Sequence, residues 1–277
     1  MTEFPDFDAL DLEFAEEWLT VWFNQPEARN PLTTERSADL QRLCAHLQDR
    51  RDVRGVVFRG RGGVFCAGGD LKAFKTVFQG GADLQDVKAM SRDAGGLFDA
   101  VDRLPQFTVM AIEGAAMAGG LGLACCGDMV IAEAEAKFAL TEVAIGVTPA
   151  QIASFVMRRL GMPTARMLML SAQRFPAAGA LTIGLADRVV TGSAEMEEAL
   201  SSVRAQLRSC APGAVAETKA LILNAPWLDR AAQVDAAAAS FARCMLSDEG
   251  REGVASFVEK RKPSWATAGA AAKAKDA

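Results

Sequence analysis

From Leu12 to Asn24 apolar and polar positions alternate, ending in Leu19-Thr-Val-Trp-Phe23, and this period of two predicts an antiparallel strand or hairpin. A Pro-bounded polar loop, Gln25 to Pro31, follows. Helical spacing then begins at Thr33, with Thr33 or Thr34 as cap and Glu35 in the first turn. Val53 to Arg59 is a β-branched run that reads as a buried strand. Gly60 to Asp70 is too glycine-rich for regular helix, and Leu71 to Phe78 reads as a short helix after it. Ser91 to Leu104 is helical, stopped by Pro105. Thr108 to Ile112 reads as a strand, Gly120 to Cys126 as a helix and Met129 to Ala132 as a strand.

The order strand, glycine loop, helix therefore occurs twice, at Val56 to Phe78 and Val109 to Ile131. Such recurrence predicts stacked repeats whose neighbours complete each other's core. After a loop at Leu140 to Pro149, helices are expected at Ile152 to Leu160, Ala165 to Leu170 and Ala177 to Ile183. Val189-Val190 reads as the last strand. Beyond Ala194 no strand signal remains, and 194–208, 212–223, 230–246 and 248–260 read as helices. The change places a boundary near residue 195: an α/β main domain over 1–195 and a helical domain over 196–266. The Ala/Lys/Gly-rich stretch 267–277 is expected to be a disordered tail.

Composition narrows the function. The chain has 277 residues, half of them hydrophobic, with net charge -5, so disorder is excluded over most of its length and a sizeable core is available. The acidic balance argues against nucleic acid as a partner. The acidic start, Met1 to Leu12, lacks the features of a secretory leader, and no uninterrupted apolar run reaches 18 residues, so neither export nor a membrane partner is expected. Six cysteines without CxxC spacing fit free thiols in the cytoplasm. One histidine, His46, lies in a charged helical stretch and reads as a surface or half-buried position. No His-based triad or multi-His metal site can be built from it, and no metal is expected.

Two glycine turns carry the candidate chemistry: Phe65-Cys-Ala-Gly-Gly-Asp-Leu-Lys72 and Ala115-Ala-Met-Ala-Gly-Gly-Leu-Gly-Leu123. Each follows an apolar strand and precedes a helix, so each can aim free N–H groups outward. If both converged on one point they would form an oxyanion hole, with glycine needed for close ligand approach. Residue types alone leave open a second reading, two packing turns of an α/β protein. Gly60-Arg-Gly-Gly63 and Gly119-Gly-Leu-Gly122 both miss the dinucleotide spacing, and no P-loop is present.

Five stretches in order resemble the enoyl-CoA hydratase/isomerase (crotonase) family, from about Leu12 to Trp265. They are Pro26-Glu-Ala-Arg-Asn-Pro-Leu32, Val64 to Lys72, Ala116 to Asp128, Ala136 to Gly146 and Gly250 to Pro263. The resemblance implies a crotonase spiral of ββα repeats with a C-terminal helical trimerisation domain, assembled as a homotrimer or dimer of trimers. It also implies an acyl-CoA substrate and no separate cofactor. The Gly69 and Gly119 N–H groups are then expected to bind the thioester oxygen. Ala28, Ala67, Asp70, Leu71, Lys72 and Gly120 would line the coenzyme A path, with Lys260, Arg261 and Lys262 meeting phosphates, the terminal set from a neighbouring subunit. A solvated helix end explains that terminal set equally well.

The hydratase pattern of the family has two glutamates. The first position is Gly122 here, and the second is Glu142 in Leu140-Thr-Glu-Val143. One carboxylate suffices for a 3-enoyl to 2-enoyl isomerase, and in principle for a one-glutamate hydratase. The loop Gly146 to Ala153 further resembles hydratases of branched or glutaconyl-type thioesters such as isohexenylglutaconyl- and methylglutaconyl-CoA hydratases. There Thr148 and Gln151 are expected to meet a polar acyl group or to cap the next helix. Glu113 and Asp128 read as structural. The rival functions are a thioesterase or decarboxylase on the same scaffold, and a catalytically inactive acyl-CoA-binding paralogue.

Overall fold

A computed structural model describes residues 4–70 and 79–267, with Lys75 and Val77 between them. The expected helix over Leu71 to Phe78 lies mostly outside the described residues, as do Leu71 and Lys72 themselves and the stretch 268–277.

The alternating N-terminal segment forms a hairpin of β1 (Leu10–Ala15) and β2 (Trp18–Phe23). Glu16 and Glu17 both take positive φ, 52° and 67°, the conformation required by a two-residue hairpin turn whose twist matches the strands. Helix α1 (Thr34–Leu47) starts where the Thr33 side chain accepts from the Arg36 N–H, and His46 is half-buried on it beside Arg50. Strands β3 (Gly55–Gly60), β4 (Phe107–Ile112), β6 (Met129–Glu133) and β9 (Arg188–Val190) continue the sheet in parallel. Its order is β1-β2-β3-β4-β6-β9.

These central strands are rich in apolar residues because both faces are covered. Val56, Phe58, Met110, Ile112, Val130 and Ala132 point into the main core, shared with α1 and with α2 (Leu84–Asp102). Their neighbours Val57, Val109, Ala111 and Ile131 point to the opposite face. There they meet Met196, Ala199, Leu200 and Val203 of α7 (Gly192–Leu207). Residue 195, where the sequence pattern changes, thus falls inside a helix whose buried face rests on the sheet.

The expected spiral is present, with a second row of short strands that no sequence pattern announced. Each turn supplies one strand to the large sheet and one short segment to this row. Cys66 bridges Ala116; β5 (Ala115–Met117) pairs with β7 (Lys137–Ala139), and β7 with β8 (Phe175–Pro176). Two or three residues are too few to show a period. Helix α3 (Gly119–Ala124) leaves β5 directly, and α4 (Ala153–Leu160), α5 (Met162–Ser171) and α6 (Ala177–Thr182) follow β7 and β8.

Helices α8 (Pro212–Asn224), α9 (Arg230–Leu246) and α10 (Asp248–Val258) complete the described chain. A buried lysine ties α8 to the sheet: Lys219 Nζ donates to Asp128 Oδ2 (2.6 Å) and to the Gln106 carbonyl (3.0 Å). Asp128 also accepts from the Thr108 N–H and hydroxyl, which bears out its structural reading. Glu113 likewise pairs with Arg59. No helix among the described residues is long and apolar enough to cross a membrane.

Candidate active site

The two glycine turns converge. A β-carbon added to Gly68 would lie 3.0 Å from Ala118 Cβ, and one added to Gly120 would lie 2.6 Å from the Cys66 carbonyl oxygen. Only glycine at both places lets the loops close, so these residues serve the approach of one turn to the other. Backbone bonds lace the contact: Cys66 N–H to the Ala115 carbonyl (3.0 Å) and Met117 N–H to the Cys66 carbonyl (3.0 Å). Leu32 N–H donates to the Gly68 carbonyl (2.8 Å), bringing in the loop after β2.

That loop is held by a residue sequence reasoning passed over. Asn30 is fully buried at φ 52°. Its amide donates to the Arg61 and Val64 carbonyls (2.9 and 2.6 Å), and its oxygen accepts from the Gln25 N–H. Its setting, Arg29-Asn-Pro31 within the family-like stretch, was the available signal.

Among the described residues, neither the Gly69 N–H nor the Gly119 N–H has a hydrogen-bond acceptor. The direction of the second follows from peptide planarity. The Ala118 carbonyl accepts from the Leu121 and Gly122 N–H groups, both at 3.0 Å, and so points into α3. The Gly119 N–H, trans to it in the same peptide, must point out of the helix. Ala118 is the second residue not anticipated. It carries a side chain at φ 48°, ψ −121°, backbone that normally belongs to glycine.

Glu142 opens a 3₁₀ turn, Glu142–Ile145, three residues after Ala139. Because Ala139 pairs with Met117, the chain leaves β7 for Glu142 at the same end of the row at which it leaves β5 for Gly119. The carboxylate is half-buried, and its Oε2 has no hydrogen-bond partner among the described residues. Burial raises its pKa above the ordinary glutamate value; a bond to its own backbone opposes this in part. An unsatisfied, desolvated carboxylate is poised to hold or release a proton.

Gly122 is buried against Ile152: an added β-carbon would lie 2.5 Å from Ile152 Cβ. Around Gly119 the nearest side chains are Leu32 and Phe98, so this side of the site is apolar. Gln151 does not cap α4, whose first turn has no side-chain cap. It donates instead to the Ser91 hydroxyl on α2 (3.0 Å), its amide oxygen lying over Gly95.

Of the other expected residues, the structure brings Ala67 and Asp70 to the first turn. The Ala67 N–H is committed to the Arg29 carbonyl (3.0 Å), which leaves it unavailable to a ligand. Ala28 is exposed on the 3₁₀ turn Pro26–Ala28. Lys260 is exposed in left-handed backbone just past α10. Arg261 is engaged by Glu252 and Glu259, so it is less free for a phosphate than the sequence implied. A cleft of about 710 Å³ opens elsewhere, between α8, α9, α10 and Trp265; neither turn nor Glu142 lines it. Cys44, Cys66 and Cys125 are buried with thiols pushed up to about 12, 11 and 12, which keeps them protonated and inert.

Known proteins share this fold. The family model described as enoyl-CoA hydratase/isomerase matches residues 13–268. The solved structure of Pseudomonas aeruginosa AtuE is 41% identical, with a TM-score of 0.90 over 94% of this chain and 100% of that one. An enoyl-CoA hydratase/isomerase from Marinobacter aquaeolei is 35% identical, with a TM-score of 0.89 over 94% of this chain and 99% of that one. The human enoyl-CoA hydratase domain-containing protein 2, mitochondrial, is 30% identical over 88% of this chain and 84% of its own. With converging glycine turns on a crotonase spiral, matched over nearly the whole chain, this protein belongs to the enoyl-CoA hydratase/isomerase family and is an enzyme of that class.

Proposed function

We propose that this enzyme moves a proton at carbon 2 of an unsaturated acyl-CoA with a single carboxylate, Glu142. The carrying observation is the buried Oε2 of the half-buried Glu142, which has no hydrogen-bond partner among the described residues, with the carboxyl pKa raised by burial. Gly69 and Gly119 supply the two N–H donors for the thioester oxygen. For a 3-enoyl thioester, Glu142 takes the carbon 2 proton and the electron pair moves onto the thioester oxygen as an enolate. The protonated Glu142 then delivers that proton to carbon 4, and the double bond shifts to carbons 2 and 3. For a 2-enoyl thioester, Glu142 takes a proton from water while the hydroxyl adds to carbon 3, and it returns that proton to carbon 2. Both cycles balance with one acid/base group.

The hydration reading is favoured by relatives that are named enoyl-CoA hydratases. The apolar wall of Leu32 and Phe98 beside Gly119 supports a hydrocarbon acyl chain, and its branching rests on the resemblance of the loop Gly146 to Ala153. Coenzyme A recognition by Ala28, Ala67, Asp70, Leu71, Lys72, Gly120 and Lys260 belongs to the same proposal, as do the absence of a separate cofactor and of a metal. The apolar side chains left outward on the terminal helices support a homotrimer or dimer of trimers: Trp227 is 78% exposed, Phe241 67% and Phe257 86%. The same reading keeps the helical part, from about residue 196, as the assembly domain. Free thiols throughout fit the cytoplasm.

Incubation with paired 2-enoyl- and 3-enoyl-CoA thioesters, straight and branched, tests the reading by mass and ultraviolet absorbance. A gain of one water, or new conjugation at unchanged mass, supports it. Release of free thiol or carbon dioxide, or binding without any turnover, contradicts it.

A further inference from the structure

Ala118 holds a conformation that glycine would take freely, yet it carries a methyl group. Three hydrogen bonds enforce it. The Ala118 N–H donates to the Ala139 carbonyl (2.8 Å), and the Ala118 carbonyl accepts from Leu121 and Gly122. The methyl is directed at the other glycine turn, at Gly68, where φ is +103° and no side chain is present. Gly68 immediately precedes Gly69, and Ala118 immediately precedes Gly119. The contact between the turns is therefore made by the residues next to the two donors.

We propose that the Ala118 methyl is a spacer that fixes the separation of the Gly69 and Gly119 N–H groups, making Ala118 a positioning residue for the thioester oxygen. The proposal rests on the assignment of those two N–H groups as the oxygen's donors. Two donors stabilise developing charge only if both reach the same oxygen, and misplacement by about 1 Å can cost about 100-fold in rate. Without the methyl, the second turn can settle toward Gly68. The backbone strain at 118 is relieved, and the donors no longer match the enolate. The strained alanine thus gives up stability for a fixed geometry.

Ala118→Gly tests this with three readouts. Its melting temperature is expected at or above that of the parent, because strain is removed. The kcat is expected to fall about 10- to 100-fold with coenzyme A affinity unchanged. The infrared carbonyl stretch of a bound saturated acyl-CoA, shifted down in the parent by its hydrogen bonds, is expected to shift less in the variant. If the parent shows no downshift, the oxyanion assignment itself fails, and the spacer with it. If parent and variant share the same downshift and kcat, the assignment stands and the spacer is rejected. A lower melting temperature with a proportionate loss of activity reduces the methyl to ordinary packing and also rejects it.

Discussion

Ile152 stands against Gly122 so closely that a β-carbon at 122 would lie 2.5 Å from Ile152 Cβ. Both residues are buried, and Ile152 is the residue from which α4 begins. The absence of a second glutamate is therefore built into the packing: the volume such a side chain needs is filled with hydrocarbon. A single substitution cannot restore it.

Gly122→Glu alone is accordingly expected to destabilise the fold by about 1–3 kcal/mol through overpacking, and by more if the carboxylate is trapped in the core. Gly122→Glu combined with Ile152→Ala is expected to recover part of that loss. Chemical denaturation of both variants checks this; equal stability of the single variant and the parent would show that Ile152 yields easily.

Glu142 has a further signature in stability. Its carboxyl is more readily protonated in the folded chain than in an unfolded one, because burial disfavours the charge. Ionising it therefore costs the fold nothing below the ordinary glutamate range and its full amount once pH has risen above the folded pKa. Glu142→Gln should melt higher than the parent near neutral pH, and the gain should fade as pH falls through the carboxylate range. A gain that persists undiminished at low pH would mean the carboxylate is not the source. The same raised pKa predicts that kcat/KM in the parent falls, on acidification, at a pH above that of an ordinary glutamate.

Lys219 and Asp128 connect the helical part to the sheet. Lys219→Met leaves Asp128 without its cation and is expected to cost about 2–3 kcal/mol, since Asp128 is partly reached by solvent. Adding Asp128→Asn should cost much less than the sum of the two single changes. Additive losses in a double-mutant cycle would dissolve the pair as an energetic unit.

Phe257 is 86% exposed on α10, among other uncovered apolar side chains. If those helices assemble copies of the chain, Phe257→Glu should lower the mass found by light scattering while leaving the melting of the isolated subunit within about 0.5 kcal/mol of the parent, as for a surface change. An unchanged mass would place the interface elsewhere.

The large sheet was legible because Leu10–Ala15 alternates and Gly55–Gly60, Phe107–Ile112 and Met129–Glu133 are rich in apolar residues, and the terminal helices because no strand signal remains beyond Ala194. The two glycine turns and Glu142 were also legible, through the order of five motifs rather than any one of them. The second row of strands was not, since Ala115–Met117 and Phe175–Pro176 are shorter than a detectable period. Nor were Asn30, Ala118 and Ile152. Their roles depend on which loop each one meets, and Ile152 meets Gly122 from thirty positions further along the chain, with no local sign of it.

The most direct measurement is the exchange of solvent deuterium into carbon 2 of a bound acyl-CoA, comparing the parent with Glu142→Gln by mass spectrometry. The parent is expected to exchange that position and the variant to lose exchange while still binding coenzyme A. Exchange at a near-parental rate in a folded Glu142→Gln enzyme would contradict the account, because the proton would then be moved by another group.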